Sequence, residues 1–535
     1  MQIDLLYLVP ILALFGFLYH LITRKNDYFH DKPIPSLACK PVFGSMGPLI
    51  LRKVAFADFV TGIYNKFPAA KVFGMFDFLT PLFVIRDPEL IKQVAVTDFD
   101  HFVDHQPLFG NSKYDHPDIL VGKSLFTLTG QRWKNMRATL SPAFTGSKMR
   151  LMFELISECS ESAVRHYLAE AEAKGPQQYE MKDVFGRFSN DVIASCAFGL
   201  KVDSLKDPQN EFYLSGKKMV NFNSTDTLLR IVSMRLFPWL MSKLGIDVID
   251  GKLNKYFSKL ILSAIQLRES QGIVRHDMVN LLIQARKGTL KHQQEKDQNE
   301  GFATVDESDV GKAQIQTTLT DSEMVAQCLI FFLAGFDTVS TCLLFLTYEL
   351  AINPEVQQKL YEEIEETNAQ LGGKSITYDV LQKMKYMDMA VSEALRKWPP
   401  GPAIDRECVK TYKMKTSDGL EFTVDKGTAL WIPIHALHHD PKYFPNPERF
   451  DPERFSDERK GSIVNGTYLP FGIGPRNCIG SRFALSEVKT IIYHLLLNFS
   501  LERTSKTEVP PVLIKGMGDV IPENGVHLEF RPRKN

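Results

Sequence analysis

The stretch Phe471-Gly472-Ile473-Gly474-Pro475-Arg476-Asn477-Cys478-Ile479-Gly480 constrains this chain most, because a single cysteine stands among three glycines directly before a helix pattern running through Phe483, Ala484, Val488 and Ile492. Gly474 can take a positive φ that other residues resist, and Pro475 stiffens the loop, so the sulfur of Cys478 is presented in one place. The amides of Ile479 and Gly480 fall in the first turn of the following helix. A helix N-terminus stabilises negative charge and favours a thiolate. A thiolate flanked by small residues, where backbone can approach a flat macrocycle, reads as the ligand of a heme iron, with hydrogen bonds to the sulfur tuning the metal.

At every fixed position, Phe471-x-x-Gly474-x-Arg476-x-Cys478-x-Gly480 resembles the heme-binding signature of the cytochrome P-450 superfamily. The resemblance implies heme b with Cys478 as axial ligand to iron, and Phe471, Arg476 and Gly480 beside it. It also implies a mainly α fold with a small β-rich part. A buried apolar cysteine in a Gly-rich turn is the plainer reading of any lone cysteine, but it leaves the coincidence of so many positions without a reason.

The chain has 535 residues, 44% of them hydrophobic, which is ample for one large core. Its 63 basic and 63 acidic residues balance, and a nucleic-acid role would want a basic excess. The seven cysteines are odd in number and scattered, with no Cys-x-x-Cys pair, and read as reduced thiols of a cytosol-facing domain. Leu5 to Ile22 is almost wholly apolar and is followed by Arg24 and Lys25. Its length approaches the ~20 residues that span a bilayer, and the basic pair puts the rest of the chain on the cytoplasmic side. A cleaved signal peptide would carry its charge ahead of the apolar run instead. The expected organisation is an N-terminal transmembrane anchor over 1–22, a proline-rich connector over 23–50 with Pro33, Pro35, Pro41 and Gly44, and a catalytic domain over 51–535.

Lys71 to Met75 and Leu82 to Ile85 read as short strands, and Asp87-Pro88 opens a helix. Leu420 to Val424 and Thr428 to Pro433, joined through Asp425-Lys426-Gly427, are expected to pair and complete the same sheet. Lys287 to Gln316, poor in apolar residues, is expected to be a mobile surface loop. Thr320 to Ile352 is the longest helix pattern: Thr320-Asp321-Ser322-Glu323 is a capping box, Asn353-Pro354 ends it, and ~45 to 50 Å between them would cross the domain. It is apolar nearly all round, yet Gly335, Asp337, Thr338 and Ser340 interrupt its middle, where glycine would permit a local widening.

Three further motifs extend the resemblance. Trp133-x-x-x-Arg137 shares one helix face, and the family uses this pair to reach a heme propionate; Arg476 and Arg406, in Asp405-Arg406-Glu407-Cys408, are the other propionate candidates. Ala334-Gly335-Phe336-Asp337-Thr338 is similar to the oxygen-binding motif, which implies that Thr338 hydrogen-bonds the dioxygen and that Asp337 helps relay protons from water. Val339 stands where many relatives carry a second Thr or Ser. Glu393-Ala394-Leu395-Arg396 resembles the Glu-x-x-Arg motif, implying a buried structural ion pair with Arg454 as third member rather than Arg449.

Monooxygenation of lipophilic small molecules is therefore implied, with electrons from a membrane-bound NADPH-dependent cytochrome reductase docking near Arg132, Lys134 and the Cys478 face, and cytochrome b5 as a second possible donor. The motif spacing is closest to the microsomal xenobiotic-metabolising clan and its insect detoxification branch, with a single-pass anchor in the endoplasmic reticulum membrane. A heme-thiolate isomerase or dehydratase acting on peroxides, a heme sensor, and oxidation of endogenous hormones or lipids remain open. Phe102 to Val121, Lys217 to Leu240 and Pro400 to Ile404 are the expected substrate-recognition segments, and Leu229 to Leu240 is apolar enough for a second membrane contact.

Overall fold

The computed structural model describes residues 25–107, 119–290, 301–313, 319–518 and 520–533, with Ala13, Gly16, Tyr19 and Thr23 ahead of them. Apart from those four positions, the apolar N-terminal segment lies outside the described residues. The centre is the helix Asp321–Ile352, whose 32 residues carry both halves of the expected capping box: Thr320 Oγ1 accepts from the Glu323 amide, and Glu323 reaches back to the Thr320 amide at 3.0 Å. By length and composition this helix could cross a membrane, but it is mostly buried inside the protein. It packs against the helices Met181–Ile193, Gly251–Gln271 and Lys385–Lys397. Gly335 is part of regular α-helix, so the expected widening is not there. A Cβ at Gly335 would stand 2.5 Å from Ile193 Cδ1. The glycine lets two helices approach closely.

Strands β1 (Val72–Asp77) and β2 (Thr80–Ile85) form the expected hairpin, and Asp87 caps the helix Pro88–Lys92. The remaining strands are β3 (Gln177–Glu180), β4 (Ile404–Glu407), β5 (Tyr412–Lys415), β6 (Glu421–Val424), β7 (Ala429–Ile432), β8 (Phe499–Arg503) and β9 (His527–Pro532). The main sheet runs β1-β2-β7-β4, with β7 parallel to β2 and antiparallel to β4. β6 does not pair with β7 as the short connection suggests; it pairs with β5 in a separate ribbon. Gly427, at φ +83°, donates to the Cys408 carbonyl at 2.7 Å and turns β7 away toward β4. Side chains of β1, β2 and β7 make a second core beside the helical one. Phe29 joins it against Phe76 and Phe83, so the proline-rich segment is seated on the sheet.

Glu393 and Arg396, one turn apart on the helix Lys385–Lys397, are both fully buried. Arg396 Nε and Nη2 donate to the two Glu393 oxygens at 2.8 and 2.9 Å, and Arg454 Nε reaches Glu393 Oε1 at 3.3 Å. Arg449 contributes only its carbonyl, to Arg396. The cluster continues toward the cysteine loop. Arg396 Nη1 donates to the His438 carbonyl, and His438 Nε2 accepts from the Leu469 amide at 2.9 Å. An imidazole that accepts at Nε2 must carry its proton on Nδ1, which then donates to the Arg396 carbonyl at 3.0 Å. Burial, then the Arg396 charge, hold His438 well below the usual histidine range, as this neutral form requires.

Removing one member leaves a buried charge without its partner, which costs about 3 to 5 kcal/mol. Arg396→Leu and Glu393→Leu are each expected to prevent accumulation of heme-loaded protein. Heme incorporation and the thermal midpoint after expression measure this, and normal values for both would refute the structural role.

Candidate functional site

Cys478 ends a loop that closes on itself: the Cys478 amide donates to the Phe471 carbonyl and the Asn477 amide to the Gly474 carbonyl, each at 2.9 Å. Gly472 and Gly474 sit at φ +76° and +75°, and a Cβ on Gly474 would overlap the Ala95 carbonyl. No other residue fits there. The helix Ser481–Asn498 begins directly afterwards, with Gly480 as its N-cap. Burial pushes the Cys478 thiol up, opposed by the Gly480 amide and the nearby Arg137 charge.

The exposed surface of Cys478 faces a cavity of about 420 Å³. Its wall includes Cys478, Phe471 and Gly480 of the cysteine loop and Ala334, Gly335 and Thr338 of the long helix. A Cβ on Gly480 would meet only Phe144, at 3.9 Å, so glycine there keeps the wall open to a flat group. Trp133, Arg137, Arg406 and Arg476 also line the cavity.

Arg476 is sandwiched. Its guanidinium lies 4.1 Å from the Trp133 ring centre, and its nitrogens donate to the carbonyls of Val103, Leu125, Phe126 and Leu128. Burial, then the charge of Arg406, press it well below the usual arginine range. Arg406 on β4 is pushed down to about 10 by burial, and its Nε has no hydrogen-bond partner among the described residues. Crowded cations and an orphaned buried N–H are satisfied by an incoming anion, as a carboxylate-bearing macrocycle would supply. With the sulfur and the open glycine wall, these residues fit heme b.

Arg137 is placed differently from expectation. It lines the cavity, but Nε and Nη2 pair with Glu307 at 3.2 and 2.7 Å, and Nη1 and Nη2 grip the carbonyl and side chain of Asn477, both at 2.8 Å. Thr338 faces the cavity and donates to the Ala334 carbonyl at 2.5 Å. Asp337 does not line the cavity. One residue along an α-helix turns about 100°, and its carboxylate meets Lys182 Nζ at 2.7 Å, which also donates to Ser340 and Thr341.

Two groups at the site lacked a legible motif. His105 lines the cavity, stacks on Phe126 and bonds Asp405 at 3.0 Å. Burial would raise the Asp405 carboxyl, but His105, the Gln106 amide and Arg406 outweigh it and hold it below its ordinary value. Gln327, fully buried in the long helix, accepts from the Leu125 amide and donates to the Lys123 carbonyl, which fixes the carbonyls that hold Arg476. Of the expected recognition segments, His105 of Phe102 to Val121 and Pro400, Gly401 and Ile404 of the last reach the cavity, whereas none of Lys217 to Leu240 does; residues 108–118 lie outside the described residues.

The model of the family described as Cytochrome P450 matches residues 35–530. "Cytochrome P450 9e2" of Blattella germanica is 43% identical over 97% of this chain and 96% of its own length, and "Probable cytochrome P450 9f2" of Drosophila melanogaster is 42% identical over 96% and 97%. "Cytochrome P450 6k1" of Blattella germanica is 35% identical over 98% and 97%. With its mainly helical fold and its match to insect relatives over nearly the whole length, the chain belongs to the cytochrome P450 family of heme-thiolate monooxygenases.

Proposed function

We propose that this chain is a microsomal monooxygenase of lipophilic small molecules, xenobiotics foremost, in which Cys478 ligates the heme and an NADPH-dependent reductase supplies electrons. The observation that carries this reading is a single apolar cavity lined by Cys478, by Thr338 and Ala334, and by Arg406 and Arg476. Bound there, the heme supplies activation of dioxygen and insertion of one oxygen atom into a substrate C–H bond.

The residues divide the remaining work. Arg406, Arg476 and Trp133 orient the macrocycle by its edge, while Arg137, bound to Glu307 and Asn477, holds the cysteine loop. Gly480 and Phe471 pack beside the sulfur. Leu125, Phe126, Ile330, Phe331, Leu395 and Ile404 exclude water and favour apolar substrates. Because Thr338 gives its own proton to the Ala334 carbonyl, its oxygen presents a lone pair to the cavity, where it can hold a proton at the reacting oxygen. Asp337 is the link to solvent behind the helix, through the part-exposed Lys182. Arg132 is exposed on the outward side of the helix Gly130–Leu140, where an acidic partner such as the reductase or cytochrome b5 can dock. The proposed anchor at 1–22 is supplemented by exposed Leu229, Phe237, Trp239, Leu240 and Leu244 on the helices Thr225–Leu236 and Pro238–Lys243 and the residue after them.

Cys478→Ala is expected to abolish the red-shifted carbon-monoxide band of the ferrous enzyme; a retained thiolate band would remove Cys478 as ligand. Thr338→Ala should keep heme content and that band while lowering product formed per NADPH and raising hydrogen peroxide release severalfold, with reductase present. Wild-type coupling would leave Thr338 as a helix residue bonding only to its own backbone. Deleting residues 1–22 should leave the spectrum intact yet keep part of the protein on membranes, and clean partition into the soluble fraction at low salt would remove the second contact.

A further inference from the structure

Residues 301–313 belong to the stretch whose composition reads as a mobile loop, yet the structure seats them against the sulfur side of the site. Gly301 approaches Asp388 too closely for any Cβ, and the Phe302 amide donates to Asp388 Oδ2 at 2.8 Å. The Phe302 ring packs on Phe455 and Tyr468 at 5.0 and 5.3 Å, beside the Glu393 cluster. The Asp306 carbonyl accepts from Asn477 Nδ2 at 2.9 Å. Glu307 pairs bidentately with Arg137 and accepts from Ser141 Oγ at 2.9 Å, with the Arg137 side chain 3% and the Glu307 side chain 16% exposed. A Cβ on Gly311 would overlap the Glu307 carboxylate, so the helix Asp309–Lys312 lies directly against it.

Asn477, the residue before Cys478, is thereby held at its carbonyl, Oδ1 and Nδ2, twice by Arg137 and once by Asp306. Glu307 in turn sets where the Arg137 guanidinium points. Glu307, Arg137 and Cys478 line one small void of about 30 Å³. A carboxylate this close, in a poorly solvated setting, acts on the centre electrostatically as well as sterically.

We propose that Glu307 is a positioning residue of the heme-thiolate centre: from the 301–313 segment it holds Arg137 across Asn477, fixes the Cys478 loop, and offsets the arginine's charge next to the iron ligand. The inference rests on Cys478 being that ligand. Removing the carboxylate leaves the Arg137 charge unopposed, which favours the reduced iron and shifts its potential positive. It also frees the loop to release heme.

The test uses the full-length heme-loaded protein and its Glu307→Gln and Glu307→Asp variants, with three readouts: the ferrous carbon-monoxide band, the heme reduction potential, and the rate of heme transfer to excess apomyoglobin. Glu307→Gln is expected to keep the thiolate band, shift the potential positive, and release heme about tenfold faster, the effect of losing one charge-assisted hydrogen bond. Glu307→Asp keeps the charge but not the reach, so its potential should stay near wild type while heme release still rises. A Gln variant with wild-type potential and release rate would overturn the proposal. Should that variant not accumulate, an Asp variant with unchanged heme release overturns it equally. Absence of the thiolate band from the wild-type protein would instead sink the Cys478 assignment.

Discussion

The fully buried pair between Arg396 and Glu393 is the interaction on which the site depends. A charge pair in an apolar core adds little net stability, since desolvation offsets much of the attraction, but it tolerates only one arrangement of its neighbours. Here those neighbours lead to the sulfur. Arg396 binds the His438 carbonyl, His438 holds the Leu469 amide, and Leu469 accepts from Gly472 at the start of the cysteine loop. A thiolate must be held still against a metal, and the glycines that let its loop turn also make that loop soft. The rigidity is therefore supplied from outside, by a helix whose charges cannot move without being left unpaired.

The same logic of forced partnership shapes the cavity edge. Arg137, Arg406 and Arg476 are all buried, and among the described residues Arg137 alone of the three has a bidentate carboxylate partner. Arg476 spreads its charge over four carbonyls, the Trp133 face and Asp104 at 3.6 Å, while Arg406 keeps an Nε unpartnered among the described residues. This graded compensation leaves a positive edge beside an otherwise apolar cavity, which suits a planar group with an apolar body and an anionic rim. Toward the same cavity the long helix shows mainly small and apolar residues with one hydroxyl, and it turns its charged Asp337 toward Lys182.

Much of this was legible in the residues. The cysteine loop, the capping box at Thr320, the hairpin of β1 and β2 and the Glu393–Arg396 pair each depend on local spacing and have the expected form, while Arg454, distant in the chain, was implied by the family resemblance. The expectations that failed involve a partner distant in the chain. A short connection suggested that β6 and β7 pair, but β4 and β2 compete for β7 and win. Gly335 suggested a bulge, whereas its use is the approach of Ile193 from a helix far earlier in the chain. Polar composition suggested that residues 301–313 are mobile, although a few contacts suffice to pin a polar segment when they reach buried partners. His105, Asp405, Gln327 and Glu307 carry no motif, because their meaning lies in what they touch.

By itself the sequence determined the chemistry available: a lone cysteine among glycines at a helix start, arginines at defined offsets from it, and a long apolar helix broken by Gly335, Asp337 and Thr338. These are short-range facts, set by backbone conformations that few residue types can adopt and by the periodicity of a helix. Beyond the Glu393 cluster, tertiary structure decided which charges meet. It turned Thr338 to the cavity and Asp337 away from it, gave Arg137 to Glu307 rather than leaving it wholly for a cofactor, and laid a polar segment over the sulfur side. Burial is what makes those choices binding, since a charge in water can exchange partners freely and a desolvated one cannot.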